Sequence, residues 1–220
     1  MAAPNESDGS PARSIGLAPG LDQEAAGQDA AKYGTNNPVV QKLLARWMGR
    51  LQEVLGTPSG VIADIGVGEG FALERMFPAE TEAIALEYRQ DKALVAAERL
   101  PSVQVVRGDA GLLPYPDRSA DLVTSIEVLE HLPGFEQAVA EMARICRGRL
   151  VVSVPWEPWF RLGNLGRGKN IARFGNDPEH VQFFTPKRLE RALSVHFDTV
   201  RVVRAFPWLI AEASHARSST

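Results

Sequence analysis

From residue 61 to residue 155, short apolar runs alternate with stretches of helical period. The runs are VIADI (61–65), EAIALE (82–87), VQVVRGD (103–109), ADLVTSI (120–126) and RLVVSVP (149–155), each bounded by glycine, proline or acid. Runs of that length and setting predict buried strands. Between them lie RQDKALVAAERL (89–100) and FEQAVAEMARIC (135–146). In the second, Phe135, Ala138, Val139, Met142, Ala143 and Cys146 fall on one helical stripe. Ahead of the first run, Asn37-Pro38 opens a predicted helix over 38–55, with Val39, Val40, Leu43, Leu44, Trp47, Met48, Leu51, Val54 and Leu55 at helical spacing. Proline suits a first turn because that position has no use for the N–H it lacks. Alternating strand and helix predicts an α/β fold, a doubly wound, mostly parallel sheet, because each parallel crossover needs a covering element.

The rhythm breaks after Pro155. Residues 156–184 have no clean period. TPKRLERALSV (185–195) predicts a helix capped by Thr185, with Pro186 at its first position. DTVRVVRAF (198–206) predicts a strand, WLIAEA (208–213) a short last one, and 215–220 a frayed tail. Residues 1–30 carry Glu6, Asp8, Asp22, Glu24 and Asp29 against Arg13, a net of -4, with no hydrophobic period. They predict a disordered leader. The domain then runs over 31–214, with the helix at 38–55 and a substrate cap at 156–184.

Composition narrows the class. Hydrophobic residues are 45% and charged residues 23% of 220, which is ordinary for a globular chain that can bury a core. The formal charge of -3 argues against a dedicated nucleic-acid binder. A single cysteine, Cys146, fits a reducing compartment. No apolar run is long enough to span a bilayer and the start is not a secretory signal, so the expected location is cytoplasmic.

Candidate chemistry starts at Asp64-Ile65-Gly66-Val67-Gly68-Glu69-Gly70, directly after the first run. Glycines let the backbone turn tightly and approach a ligand. The dinucleotide pattern G-x-G-x-x-G would need glycine at 71, where this chain has Phe71. The second run ends in Glu87, where a carboxylate can accept both hydroxyls of a ribose. The third ends in Gly108-Asp109-Ala110, where Asp109 could meet an adenine amine.

With these features the chain resembles the class I S-adenosylmethionine-dependent methyltransferases of the small-molecule type, close to the ubiquinone-biosynthesis enzymes. The matching stretches are VIADIGVGEG, AIALE, GDAGLLPYPDRSADLV and SIEVLEHL, and the resemblance covers roughly residues 33–205. It implies a seven-stranded sheet with one antiparallel strand. It implies that Asp64, Gly66, Gly68 and Gly70 surround the methionine end of S-adenosylmethionine, that Glu87 holds the ribose, and that Asp109 and Ala110 contact the adenine. Glu127 would lie along the cofactor edge, and Tyr33 would close over the methionyl end.

After the fourth run comes Glu127-Val128-Leu129-Glu130-His131. In a helix, residues 127, 130 and 131 would share one face. The candidate catalytic groups are Glu130, His131 and His180. The same residues with Glu127 resemble the Glu-x-x-Glu-His motif and distant histidine of metal-assisted O-methyltransferases. Three readings stay open: Glu127, Glu130, His131 and His180 holding a divalent ion such as Mg, metal-free acid–base and positioning roles, or a purely structural role. The Asn/Asp-Pro-Pro-aromatic run of amine methyltransferases acting on nucleic acids is replaced by Ser125-Ile126-Glu127.

The cap carries Trp156, Trp159, Phe160, Phe174, Phe183 and Phe184, with Arg161, Arg167, Lys169 and Arg173. That mixture suits a small, flat or lipid-like acceptor with an anionic part. The expected activity is methyl transfer to such a molecule, with a hydroxyl oxygen favoured. A nucleotide-binding oxidoreductase and a non-catalytic module of the same fold are the alternatives. Oligomeric state is not encoded in any of these patterns.

Overall fold

The computed structural model describes residues 34–166 and 180–217. The leader, Tyr33 and residues 167–179 of the cap, with Arg167, Lys169, Arg173 and Phe174, lie outside the described residues. In chain order the elements are α1 (Pro38–Leu55), β1 (Ile62–Ile65), α2 (Phe71–Met76), β2 (Ala83–Glu87) and α3 (Gln90–Arg99). There follow β3 (Val103–Arg107), β4 (Ala120–Ile126), a 3-10 turn (Leu129–His131), α4 (Phe135–Ile145) and β5 (Cys146–Pro155). The last four are α5 (Trp159–Gly166), α6 (Pro186–Ser194), β6 (Phe197–Ala205) and β7 (Trp208–Ala216).

The seven strands form one sheet in the order β3-β2-β1-β4-β5-β7-β6. The first five are parallel, and β7 runs antiparallel to both β5 and β6. The strand order reverses beside β1, so the crevice at the carboxyl ends of β1 and β4 is the switch point where such sheets bind ligands. Apolar side chains bury both faces. Ile62, Leu122, Val151 and Ile210 face α1, α2 and α3, whereas Ala63, Val123, Leu150 and Leu209 face α4 and α6.

Local chemistry accounts for the helix starts. The Asn37 side chain accepts from the amides of Val39 and Val40 at 3.0 and 3.2 Å, and Pro38 takes the first position. Thr185 accepts from Arg188 N at 3.3 Å ahead of Pro186. α1 is fastened to the sheet by its apolar stripe and by two polar ties. Trp47 Nε1 donates to Ser153 Oγ at 2.9 Å, and the Arg149 guanidinium donates to the carbonyls of Val54 and Leu55 at the helix end. Arg149 therefore satisfies carbonyls that the last turn leaves open.

Three expectations need correction. The last strand is not short: β7 spans nine residues, and His215 and Ala216, expected in a frayed tail, belong to it. Its sequence turns polar after Ala213, which hides the strand, but partners on both sides pair its backbone. β5 begins at Cys146, with no loop after α4. The cap is not without period, since α5 forms over WFRLGNLG. Cys146 is fully buried and burial pushes its thiol up to about 11, so it is a core residue.

Candidate active site

The chain leaves β1 through a loop built on backbone geometry. Gly66 has φ +84, and its N–H shares the Leu86 carbonyl with that of Val67, at 2.7 and 3.1 Å. A Cβ at Gly66 would stand 2.4 Å from Val128 Cγ2, so glycine is required by both conformation and contact. Gly68 has φ +58 and donates its N–H to Glu87 Oε2 at 2.9 Å. Gly70, at φ +85, starts α2.

Glu87 is buried at the end of β2. One carboxylate oxygen accepts from Gly68 N and the other from Arg89 N, also at 2.9 Å. Two backbone donors thus fix the group before any ligand arrives. Each carboxylate oxygen has two lone pairs, so both can also accept from a pair of vicinal hydroxyls.

Asp64 lies opposite Ala85 of β2 and Thr124 of β4. It is buried, and Thr124 Oγ1 donates to its Oδ1 at 2.5 Å. Burial pushes its carboxyl up to about 7. The Thr124 hydrogen bond opposes that rise, and the charge of Glu87 adds to it. A cation beside Asp64 would favour the ionised form. Asp109 is exposed and turned to its own loop: Oδ1 accepts from Gly111 N at 2.8 Å, and Leu112 N donates to the Asp109 carbonyl at 3.0 Å. Ala110, next to it, is buried.

On the other side of the crevice, Glu127 departs from the helical face expected for 127, 130 and 131. It has φ +58, its N–H donates to the Ser153 carbonyl at 2.8 Å, and the 3-10 turn starts only at Leu129. Its Oε1 accepts from Trp208 Nε1 at 2.7 Å. Trp208 in turn stacks on Trp47 with ring centroids 4.8 Å apart.

Glu130, His131 and His180 do come together. Each offers one ligand atom, and those atoms all lie within 4.8 Å of one another. The two imidazoles are 5.1 Å apart in an edge-on arrangement. Backbone pairing delivers His180 from a distant segment, as Val181 N and Gln182 N both donate to the Glu130 carbonyl, at 2.9 and 3.0 Å. Glu127 is not part of this group. The donor set is one carboxylate and two imidazoles, which suits a borderline ion such as Zn better than the all-oxygen preference of Mg.

Sequence reasoning missed Thr124, Ser153, Trp208 and Glu157. Thr124 becomes visible once β4 is known to neighbour β1. Trp208 and Ser153 are joined to Glu127 only by strand order. Glu157 is buried at the end of β5, its Oε2 3.4 Å from the Arg161 N–H that it accepts, and burial holds its carboxyl above the usual range.

Residues 63–152 match the family described as "Methyltransferase domain". The chain is 33% identical over 96 residues to a probable S-adenosylmethionine-dependent methyltransferase of Mycobacterium tuberculosis strain H37Rv, covering 43% of this chain and 35% of that one. It is 31% identical over 135 residues to the demethylmenaquinone methyltransferase of Renibacterium salmoninarum, covering 60% and 57%. The chain thus spans about a third to somewhat over half the length of these relatives. Among solved structures it is similar in fold to magnesium protoporphyrin IX methyltransferase from Synechocystis PCC 6803 with bound SAH. The TM-score is 0.64, the identity 15%, and the coverage 87% of this chain and 95% of that one.

Proposed function

This chain belongs, through residues 63–152, to the class I S-adenosylmethionine-dependent methyltransferase family, and from that premise we propose that it methylates a small organic acceptor at a hydroxyl oxygen. The observation that carries this reading is Glu87, whose two oxygens are held by Gly68 N and Arg89 N beside the glycine loop. That arrangement fits the ribose of the donor. Gly66 lets the loop turn at φ +84 against Val128, and Asp64 offers a countercharge to the ammonium group of the methionyl end. Asp109 and Ala110 stand where the adenine would lie.

When bound, the donor supplies a methyl carbon activated by a sulfonium. The donor would thus offer its methyl for displacement by the acceptor oxygen, with sulfur keeping the electron pair. In this reading His131 or His180 takes the hydroxyl proton and Glu130 stabilises the imidazolium that forms, which the convergence of the three groups supports. Holding the acceptor in line is the larger part of such catalysis, and the aromatic cap supplies the walls. The Renibacterium relative is named for demethylmenaquinone, and the half-buried Trp156 and Phe160 offer aromatic surface for a flat acceptor.

Calorimetric titration of S-adenosylhomocysteine into cofactor-free protein tests the reading. Glu87→Ala should weaken affinity at least about a hundredfold, since two hydrogen bonds to a charged group contribute about 1.5–3 kcal/mol each. Unchanged affinity overturns the ribose assignment. The convergence of Glu130, His131 and His180 also favours a second reading, in which these three hold a divalent ion that lowers the acceptor hydroxyl's pKa. Activity that survives exhaustive chelation rejects it.

A further inference from the structure

β5 hands the chain to α5 at the rim of the acceptor side, and there the surface becomes aromatic. Trp159 is 43% exposed, Leu162, one turn along the same helix, 51%, and Phe206, at the tip between β6 and β7, 42%. They are neighbours. The Trp159 and Phe206 rings are 6.2 Å apart, and each lies 6.3 Å from Trp156. A monomer seldom leaves such rings grouped in water without a use for them.

Cations frame the rings. The Arg204 guanidinium sits 5.4 Å from the Trp156 ring centre, and that of Arg161 5.5 Å from Phe183. Across 156–166, 180–184 and 204–208 the one acid in the sequence is Glu157, and it is buried beneath the surface, 6% exposed. Among the described residues this surface is aromatic, shows no exposed acid and is edged by arginine, which matches the interface of an anionic bilayer. Indole and phenyl rings enter the headgroup layer, and guanidinium groups reach the phosphates. The face also adjoins the acceptor side, because Phe160 of α5 packs 5.6 Å from His180.

We propose that Trp159, Leu162 and Phe206, flanked by Arg161 and Arg204, form a peripheral docking face for an anionic lipid bilayer. The enzyme sits on the membrane with its acceptor mouth at the lipid surface, and a lipid-borne acceptor enters without crossing bulk water.

Flotation of the full chain with vesicles of equal parts phosphatidylcholine and phosphatidylglycerol, and of phosphatidylcholine alone, tests this. The wild type should float with the mixed vesicles, weakly with the neutral ones, and less as salt rises. Trp159→Glu and Phe206→Glu should each lower binding at least about tenfold. Arg204→Gln should lower it about fivefold, on anionic vesicles only. Circular dichroism and S-adenosylhomocysteine affinity should not change in these variants, and Trp159→Phe should keep most of the binding. Absence of flotation in the wild type overturns the proposal, as does undiminished flotation of Trp159→Glu. A dimer in ultracentrifugation that Trp159→Glu dissolves, without vesicle binding, assigns the face to a second copy and also overturns it. Flotation without S-adenosylhomocysteine binding would instead defeat the methyl-transfer reading and leave the docking face standing.

Discussion

Glu87 and Glu130 are both buried acids at the carboxyl edge of one sheet, yet they are placed by opposite means. Glu87 is held by backbone N–H groups of its own strand-end turn and of the adjoining glycine loop, within twenty residues of sequence. Glu130 meets its partners through a segment fifty residues away, stitched on by Val181 N and Gln182 N. The donor half of the cleft is thus fixed by main-chain conformation. The acceptor half depends on side chains gathered from β4, the cap and β7. Local backbone geometry tolerates changes of substrate, whereas a gathered pocket can be reshaped one side chain at a time.

The comparison predicts separable losses. The largest concerns turnover: His131→Ala and His180→Ala should each lower kcat by about 10²–10⁴-fold while S-adenosylhomocysteine affinity stays within about twofold. Steady-state kinetics beside calorimetry decides. Affinity falling in parallel would show that the halves are not independent. Next comes Gly66→Ala, which forces a side chain into φ +84 and against Val128. A cost of about 2–4 kcal/mol in denaturant unfolding is expected, from left-handed strain plus overpacking. Val128→Ala added to it should restore the overpacking part only.

Asp64 gives a pH signature confined to the donor half. Its folded-state pKa of about 7 lies above the ordinary 3.8. The folded chain therefore holds a proton that the unfolded chain has lost between those values, and stability falls as pH rises from about 4 to about 7. The fall is at most about 4 kcal/mol. Ligand affinity should move the other way, rising with pH up to about 7 as the ionised form meets the ammonium group. Asp64→Asn should flatten both profiles in thermal melts and calorimetry. The smallest effect is expected from Trp208→Phe. Loss of its hydrogen bond to Glu127 should cost about 1.5–3 kcal/mol of stability, with kcat falling less than in His131→Ala.

The same division explains what could be read in the chain beforehand. Strands β1, β4 and β5 are legible because burial makes them continuous apolar runs, and the edge strand β3, half-buried at best, is legible from its valines alone. The positions of the glycine loop, Asp64 and Glu87 are legible because they fall at or next to the ends of apolar runs. Asp109 was placed at the right strand end, but its capture by Gly111 N is a local turn that no run discloses. Glu127 was misgrouped because helical spacing was extended across a residue with φ +58. Its partner Trp208 is eighty-one positions away, joined only by the order of the sheet. β7 was underestimated because its far half is polar, and a strand paired on both sides is held by backbone hydrogen bonds that leave no trace in hydropathy.

Because β7 threads between β5 and β6, translation imposes a schedule on this chain. As the nascent polypeptide leaves the ribosome, β5 waits with one edge unpaired until Trp208–Ala216 emerge and close it. The indole that anchors Glu127 arrives in that same stretch. Messages cut short before codon 208 should therefore yield sticky, inactive products, and a chaperone guarding that open edge would be needed until Ala216 has emerged.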